Sequence, residues 1–174
     1  MIWSTIISYL ISIECRGSIP VINLLCCLFA ESFLKKIRLF HWIPQPKDKL
    51  SELGEKSWIQ LCNSINTVPC PHLVSIWIPN NSIGEKGCKE FARLCFENRF
   101  GAIKELDFSG NRIGNGGVIE LFHAIHVARI ASQLQILDIR DNNITSRGMK
   151  MVYSSIKCCD FANLEVLRLG GMLD

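Results

Sequence analysis

The 174 residues lack most of the local signatures that would announce chemistry. Nine cysteines are present, yet none forms a C-x-x-C pair, so zinc-ribbon and thioredoxin-type motifs have no anchor here. No G-x-x-x-x-G-K-[ST] loop occurs for phosphate binding, and no G-x-S-x-G places a serine nucleophile. No dense basic run accompanies the net charge of +3, and Lys35, Lys36 and Arg38 read as a solvated patch, so nucleic acid is not an expected partner. Uncharged runs stop short of the roughly 18–20 residues that span a bilayer: Met1–Ile13 and Ser18–Ala30 are separated by Glu14 and Arg16. A signal peptide would want a positively charged start, and none is present.

What the chain does have is self-similarity. The apolar skeleton Ile103, Leu106, Phe108, Asn111, Ile113, Gly117, Leu121, Ile125 has an earlier copy in Leu73, Ile76, Ile78, Asn81, Ile83, Gly87, Phe91, Cys95. A later copy runs Leu134, Leu137, Ile139, Asn142, Ile144, Gly148, Val152, Ile156. The offsets are 30 and 31 residues, the range in which a repeat means a stacked array. A further copy begins at Leu164, Leu167 and Leu169. A degenerate one is expected from Ile43, with Leu53, Ser57, Leu61 and Ile65 at the later positions and Pro44 and Pro46 spoiling its strand.

Each unit can be read physically. L-x-x-L-x-L ends on a period of two, so a short strand buries one face. The asparagine closes the strand with an amide that can bond the backbone of the turning chain. Apolar residues then recur at spacings of three and four, which predicts a helix with one buried stripe. Thr145 and Ser146 stand where side chains can cap the helix of the third full unit. Glycines 87, 117 and 148 are expected where helix and strand approach closely, and Gly110, Gly114 and Gly116 at turns or packing points. One unit cannot bury both its strand face and its helix stripe, but stacked neighbours can.

The pattern resembles the leucine-rich repeats of the ribonuclease-inhibitor type, L-x-x-L-x-L-x-x-N-x-I-x-x-x-G-x-x-x-L. The resemblance is specific over residues 73–156 and extends more loosely over 43–174, and a fragment of a larger repeat protein is one expectation it carries. It implies an α/β solenoid with parallel strands on the concave face and helices on the convex face. It also implies a protein-binding surface without catalysis, cofactor, metal or small-molecule substrate. The units depart from the family in their length and in Met172, which stands where a fourth asparagine would fall.

The expected organisation is a hydrophobic segment over residues 1–40 and a repeat domain over 41–174, with units starting near 43, 73, 103, 134 and 164. Ser18 and Pro20 could start a helix whose Ile22, Leu25, Phe29 and Phe33 cap the solenoid; the alternative is that residues 1–34 anchor or target a membrane-associated sensor. Free cysteines at apolar positions favour a reducing, cytoplasmic setting.

The candidate partner-binding residues are Trp77, Glu105, Asp107, Asp138, Arg140 and Arg168. They fall on strand positions expected to point away from the core. The strip has an aromatic at one end, an acidic middle and arginines at the other end. Both Asp107 and Asp138 are expected to be dispensable for folding. Asn81, Asn111 and Asn142 are the structural asparagines of the repeat. His123 and His126 could hold a metal with Glu120, but the stripe Leu121, Ala124, Ile125 sets them beside the core or toward water. Cys158 and Cys159 form a vicinal pair at a helix end, read as two half-buried thiols.

Overall fold

The computed structural model describes residues 12–14, 37–44, 52–101 and 103–171. Six three-residue strands form one sheet: β1 (Ser12–Glu14), β2 (Leu39–His41), β3 (Ser75–Trp77), β4 (Glu105–Asp107), β5 (Ile136–Asp138) and β6 (Val166–Arg168). Every strand pairs in parallel with its neighbour in sequence, in the order β1-β2-β3-β4-β5-β6. Among the described residues four helices join the later strands: α1 (Gly54–Thr67), α2 (Gly84–Phe96), α3 (Gly114–Val127) and α4 (Ser146–Cys158). Strand, turn, helix and return follow one another as the repeat predicts, and the result is an open α/β solenoid.

The register equates Phe40, Ile76, Leu106, Leu137 and Leu167 on successive strands. Leu73, Ile76, Ile78, Ile103, Leu106, Phe108, Leu134, Leu137 and Ile139 are all buried between strands and helices. The helix stripes close the same core: α2 buries Cys88, Phe91, Leu94 and Cys95, and α3 buries Val118, Leu121, Phe122 and Ile125. Trp58, Phe91 and Phe108 cluster at its centre, with Phe91 and Phe108 edge to face at 4.9 Å. Cys62, Cys70, Cys88 and Cys95 are free thiols buried within this core. Burial pushes all four thiols up, Cys70 to about 12.

The sheet starts earlier than the boundary expected at residue 41. Ile37, Phe40 and Trp42 are buried at the positions of Leu73, Ile76 and Ile78. The unit expected to begin near Ile43 therefore begins at Ile37, and Ile43 is half exposed. The later positions hold, because Leu53, Ser57, Leu61 and Ile65 are all buried as aligned. Within the stretch expected to be a cap or membrane segment, Ser12–Glu14 is a strand paired with Leu39–His41. The helix expected after Ser18, and the rest of residues 1–34, lie outside the described residues. No described helix is long and apolar enough to cross a membrane.

The turns between strand and helix explain the asparagine shared by the three full units. Residues on either side of it adopt left-handed backbone: Asn80 and Ser82 around Asn81, Gly110 and Arg112 around Asn111, Asp141 and Asn143 around Asn142. Such a turn leaves backbone groups facing inward with no helix or strand partner. The asparagine side chain supplies them. Asn111 Nδ2 donates to the Ile78 carbonyl at 2.7 Å and the Ser109 carbonyl at 3.0 Å. Its Oδ1 accepts from Asn81 N at 2.9 Å and Ile83 N at 3.4 Å. Asn142 repeats this one unit on, donating to the Phe108 carbonyl and accepting from Asn111 N at 2.8 Å. Asn81 does so one unit back, with the Trp42 carbonyl and Leu53 N.

Two expectations about the helices need correction. Close approach at Gly87 and Gly117 is between neighbouring helices rather than between helix and strand. A Cβ on Gly87 would meet Trp58 Cδ1 of α1 at 2.7 Å, and one on Gly117 would meet Cys88 Cβ of α2 at 3.2 Å. Thr145 makes no side-chain cap for α4. Asn115 of the preceding helix holds Thr145 instead, accepting from Thr145 N at 3.0 Å and donating to Thr145 Oγ1 at 2.9 Å. Glu85 takes the equivalent place against Gly116 in the first turn of α3, where a carboxylate suits the positive helix end.

Candidate interaction surface

The strand register sets two columns on the face of the sheet away from the helices. One runs His41, Trp77, Asp107, Asp138, Arg168, and the next runs Leu39, Ser75, Glu105, Ile136, Val166. Parallel strands about 4.8 Å apart make each column a continuous strip. Arg140 follows β5 and reaches back toward it. The six residues singled out by sequence thus lie along this face from β3 to β6, but the structure uses them in different ways.

At the N-terminal end Trp77 is half-buried and stacks on His41, with ring centroids 4.9 Å apart and planes 14° apart. Its Nε1 is buried and has no hydrogen-bond partner among the described residues. Ser75 Oγ, fully buried, donates to Glu105 Oε2 at 2.9 Å. That commits its proton, so the 2.9 Å contact with His41 Nε2 has the imidazole donating and the hydroxyl accepting. An activated nucleophile needs the reverse order, with the imidazole accepting the hydroxyl proton. The His41–Ser75–Glu105 chain is a positioning tie that fixes Glu105 and the aromatic pair.

Asp107 is half-buried and folds onto its own turn, accepting from Ser109 N at 3.0 Å and Ser109 Oγ at 2.7 Å. Asp138 departs from expectation. Its side chain is 1% exposed, while those of Arg140 and Arg168 are each 48% exposed. Arg140 grips it with Nε at 3.0 Å and Nη2 at 2.7 Å, and the Arg140 backbone N–H donates at 3.1 Å. Arg168 Nη1 adds a long contact at 3.5 Å. Asp138 is therefore the buried anchor of two arginines rather than a docking group. Replacing it by lysine would set a third cation between Arg140 and Arg168, so a loss of stability is now the expected outcome.

Burial pushes the Asp138 carboxyl up, but the Arg140 hydrogen bonds and the two guanidinium charges outweigh it and leave the group below the ordinary aspartate value. The folded state thus binds this proton less tightly than the unfolded chain does. Its stabilisation is present above about pH 4, the unfolded aspartate value, and is lost as pH falls through the depressed folded value. Asp138→Asn is expected to flatten the acid side of the stability curve below about pH 4. Urea midpoints at a series of pH values test this, and an unchanged acid slope would rule Asp138 out as the linked group.

His41 was not among the residues found by sequence, because the strand that carries it was phased wrongly. The signal was present as Ile37-x-x-Phe40-x-Trp42, with aromatics in place of leucines. On the helix side, His123 meets Phe96 edge to face at 5.3 Å, and both His123 and His126 are exposed, as the stripe implied. Among the described residues, no three His, Cys, Asp or Glu side chains are arranged to hold a metal ion.

Comparison with known proteins agrees with this architecture. The family model described as Leucine Rich repeat matches residues 103–122 and 132–152. The ribonuclease inhibitor of Sus scrofa is 26% identical over 104 residues, covering 60% of this chain and 22% of that protein. The ribonuclease inhibitor of Mus musculus is 29% identical over 73 residues, covering 42% of this chain and 15% of that protein. The chain thus spans less than a quarter of the length of the curated relatives it matches, at most the 22% of the porcine protein.

Proposed function

The chain is a leucine-rich repeat protein of the ribonuclease-inhibitor-like type, and from that premise we propose that it is a non-catalytic interaction module that engages a partner protein through its strand face. The relatives are named as inhibitors of an enzyme, that is, as proteins that act on another protein. One observation carries the reading for this chain. The strand face presents, on adjacent strands, a stacked Trp77–His41 pair at one end and the half-exposed guanidinium groups of Arg140 and Arg168 at the other. Aromatic and arginine side chains are the groups most often found at binding hot spots. Glu105 and Asp107 lie between them and are held by Ser75 and Ser109, so the polar pattern is organised before a partner arrives.

The same reading places the protein in the cytoplasm, a reducing compartment that would keep its core thiols free. No cofactor is part of this function. A photo-crosslinking residue at Asp107 is expected to yield covalent adducts with a partner protein in cell extract, and one at the exposed Lys150 of α4 is not. Adducts from position 150 with none from position 107 would move the interface to the helix side and defeat the proposal.

A further inference from the structure

Helices α2 and α4 treat their cations differently. In α2, Lys89 pairs with Glu85, and Arg93 pairs with Glu90 and Glu97. Helix α4 contains no aspartate or glutamate, and its Arg147, Lys150 and Lys157 form no ion pair among the described residues. Neighbouring acids sit by other cations. Glu120 of α3 acts on Lys89 of α2, Asp141 before α4 acts on Arg140, and Asp160 beyond it shares a hollow with Arg129.

A helix advances 3.6 residues per turn, so Arg147, Lys150, Ser154 and Lys157 share one exposed face, opposite the buried Gly148, Met149 and Val152. Exposed Tyr153 borders that face on one side, and exposed Met151 and Cys158 border it on the other. Beyond Met151 the apolar flank continues toward α3 as an open groove of about 320 Å³, with Ile119 and Phe122 in its wall. The outer face of α4 is thus a row of unpaired cations between two margins that are not charged.

We propose that the outer face of α4 docks on an anionic lipid surface, with Arg147, Lys150 and Lys157 against the headgroups and Tyr153 and Met151 entering the interface. Basic helix faces with apolar margins lie in that plane, and tyrosine favours the headgroup level. In the cytoplasm proposed above, the inner leaflet supplies the negative charge. Single-stranded nucleic acid asks instead for a basic groove lined with several stacking aromatics, and these cations stand on the outside of a helix beside one tyrosine. The helix commits its own apolar stripe to the core, so contact is shallow, mostly electrostatic and sensitive to salt. The strand face lies on the other side of the sheet and stays open to its partner.

The test is co-sedimentation of the full chain with vesicles of phosphatidylcholine alone, or with about one-third phosphatidylserine. The wild type is expected to bind the anionic vesicles more tightly, and to lose that margin in about 1 M salt, where the screening length falls to about 3 Å. Lys150→Gln combined with Lys157→Gln is expected to weaken binding to anionic vesicles about 25-fold, about five-fold for each cation. Both side chains are exposed, so the variant is expected to keep the wild-type circular dichroism spectrum. Equal binding to the two kinds of vesicle, or wild-type binding by the double variant, would overturn the proposal. Tighter capture of poly(U) or polyglutamate than of anionic vesicles, with the same dependence on Lys150 and Lys157, would also overturn it and give the face to a nucleic acid or an acidic protein.

Discussion

Asn111→Ala is expected to lower the unfolding free energy by about 3–5 kcal/mol, because it leaves buried backbone groups unpaired and each costs about 1–3 kcal/mol. The side chain is fully buried and makes four hydrogen bonds, two accepted and two donated. Alanine removes them all. Asn81 N–H and the Ile78 carbonyl are left unpaired in a buried turn, so the loss is the desolvation of both and not the modest net worth of a hydrogen bond. Set against a typical total of about 5–15 kcal/mol, that is a large part of the protein's stability. Asn111→Asp is no rescue. It keeps an acceptor for Asn81 but turns the donor into a second acceptor facing two carbonyls, and it buries a charge. Urea denaturation followed by far-UV circular dichroism measures the change. A loss below about 1 kcal/mol would mean that water enters the turn and replaces the amide.

The second large effect lies in the aromatic centre. Trp58→Ala is expected to cost about 3–5 kcal/mol and to lower the melting temperature by about 10 °C or more. Trp58 is 1% exposed, lies within 6.4 Å of the rings of Phe40, Phe91 and Phe108, and donates from Nε1 to the Gly87 carbonyl at 2.9 Å. Alanine opens a cavity among three aromatic rings and removes the Nε1 hydrogen bond across to α2. Trp58→Phe separates the two terms, because it keeps most of the packing and loses the hydrogen bond, with an expected cost of about 1–2 kcal/mol. A thermal melt of both variants reads the difference. Equal melting temperatures for the two would show that the ring's volume contributes nothing beyond its N–H.

The ring also explains Gly87. A Cβ at that position would strike Trp58 Cδ1, so helices α1 and α2 approach only because one of them lacks a side chain there. Sequence marked the glycine as a close-contact position but named the wrong neighbour. Periodicity tells which residues face inward; it does not tell which adjacent element they meet.

Residues 73–156 were legible because every unit uses the same residue types at nearly the same offsets, and the core they imply is the core observed. The N-terminal unit was misphased for a physical reason. Phe40 and Trp42 fill the inward positions as well as leucine does, but they break the leucine pattern, and the unit is longer, with Phe40 standing 36 residues before Ile76. That error hid His41, and with it the stacking partner of Trp77. Asp138 was misjudged for another reason. Strand alternation correctly points it away from the helices, yet Arg140 turns back over it and seals it from water. Side chains that fold over a strand face are set by tertiary contact, which the period-two pattern does not encode. The tie from Asn115 to Thr145 across repeats is invisible to cap rules, which look along one helix and not to the helix beside it.

The asparagine amides bond in one direction along the chain. Asn81 N is held by Asn111, 30 residues later, and Asn111 N by Asn142, 31 residues later. A turn emerging from the ribosome is thus unfinished until the following unit has been synthesised and has delivered its carboxamide. Maturation lags elongation by one coil, about two to six seconds at ordinary translation speeds. During that interval the newest turn keeps open amide groups, which a chaperone or a mispaired strand could claim first.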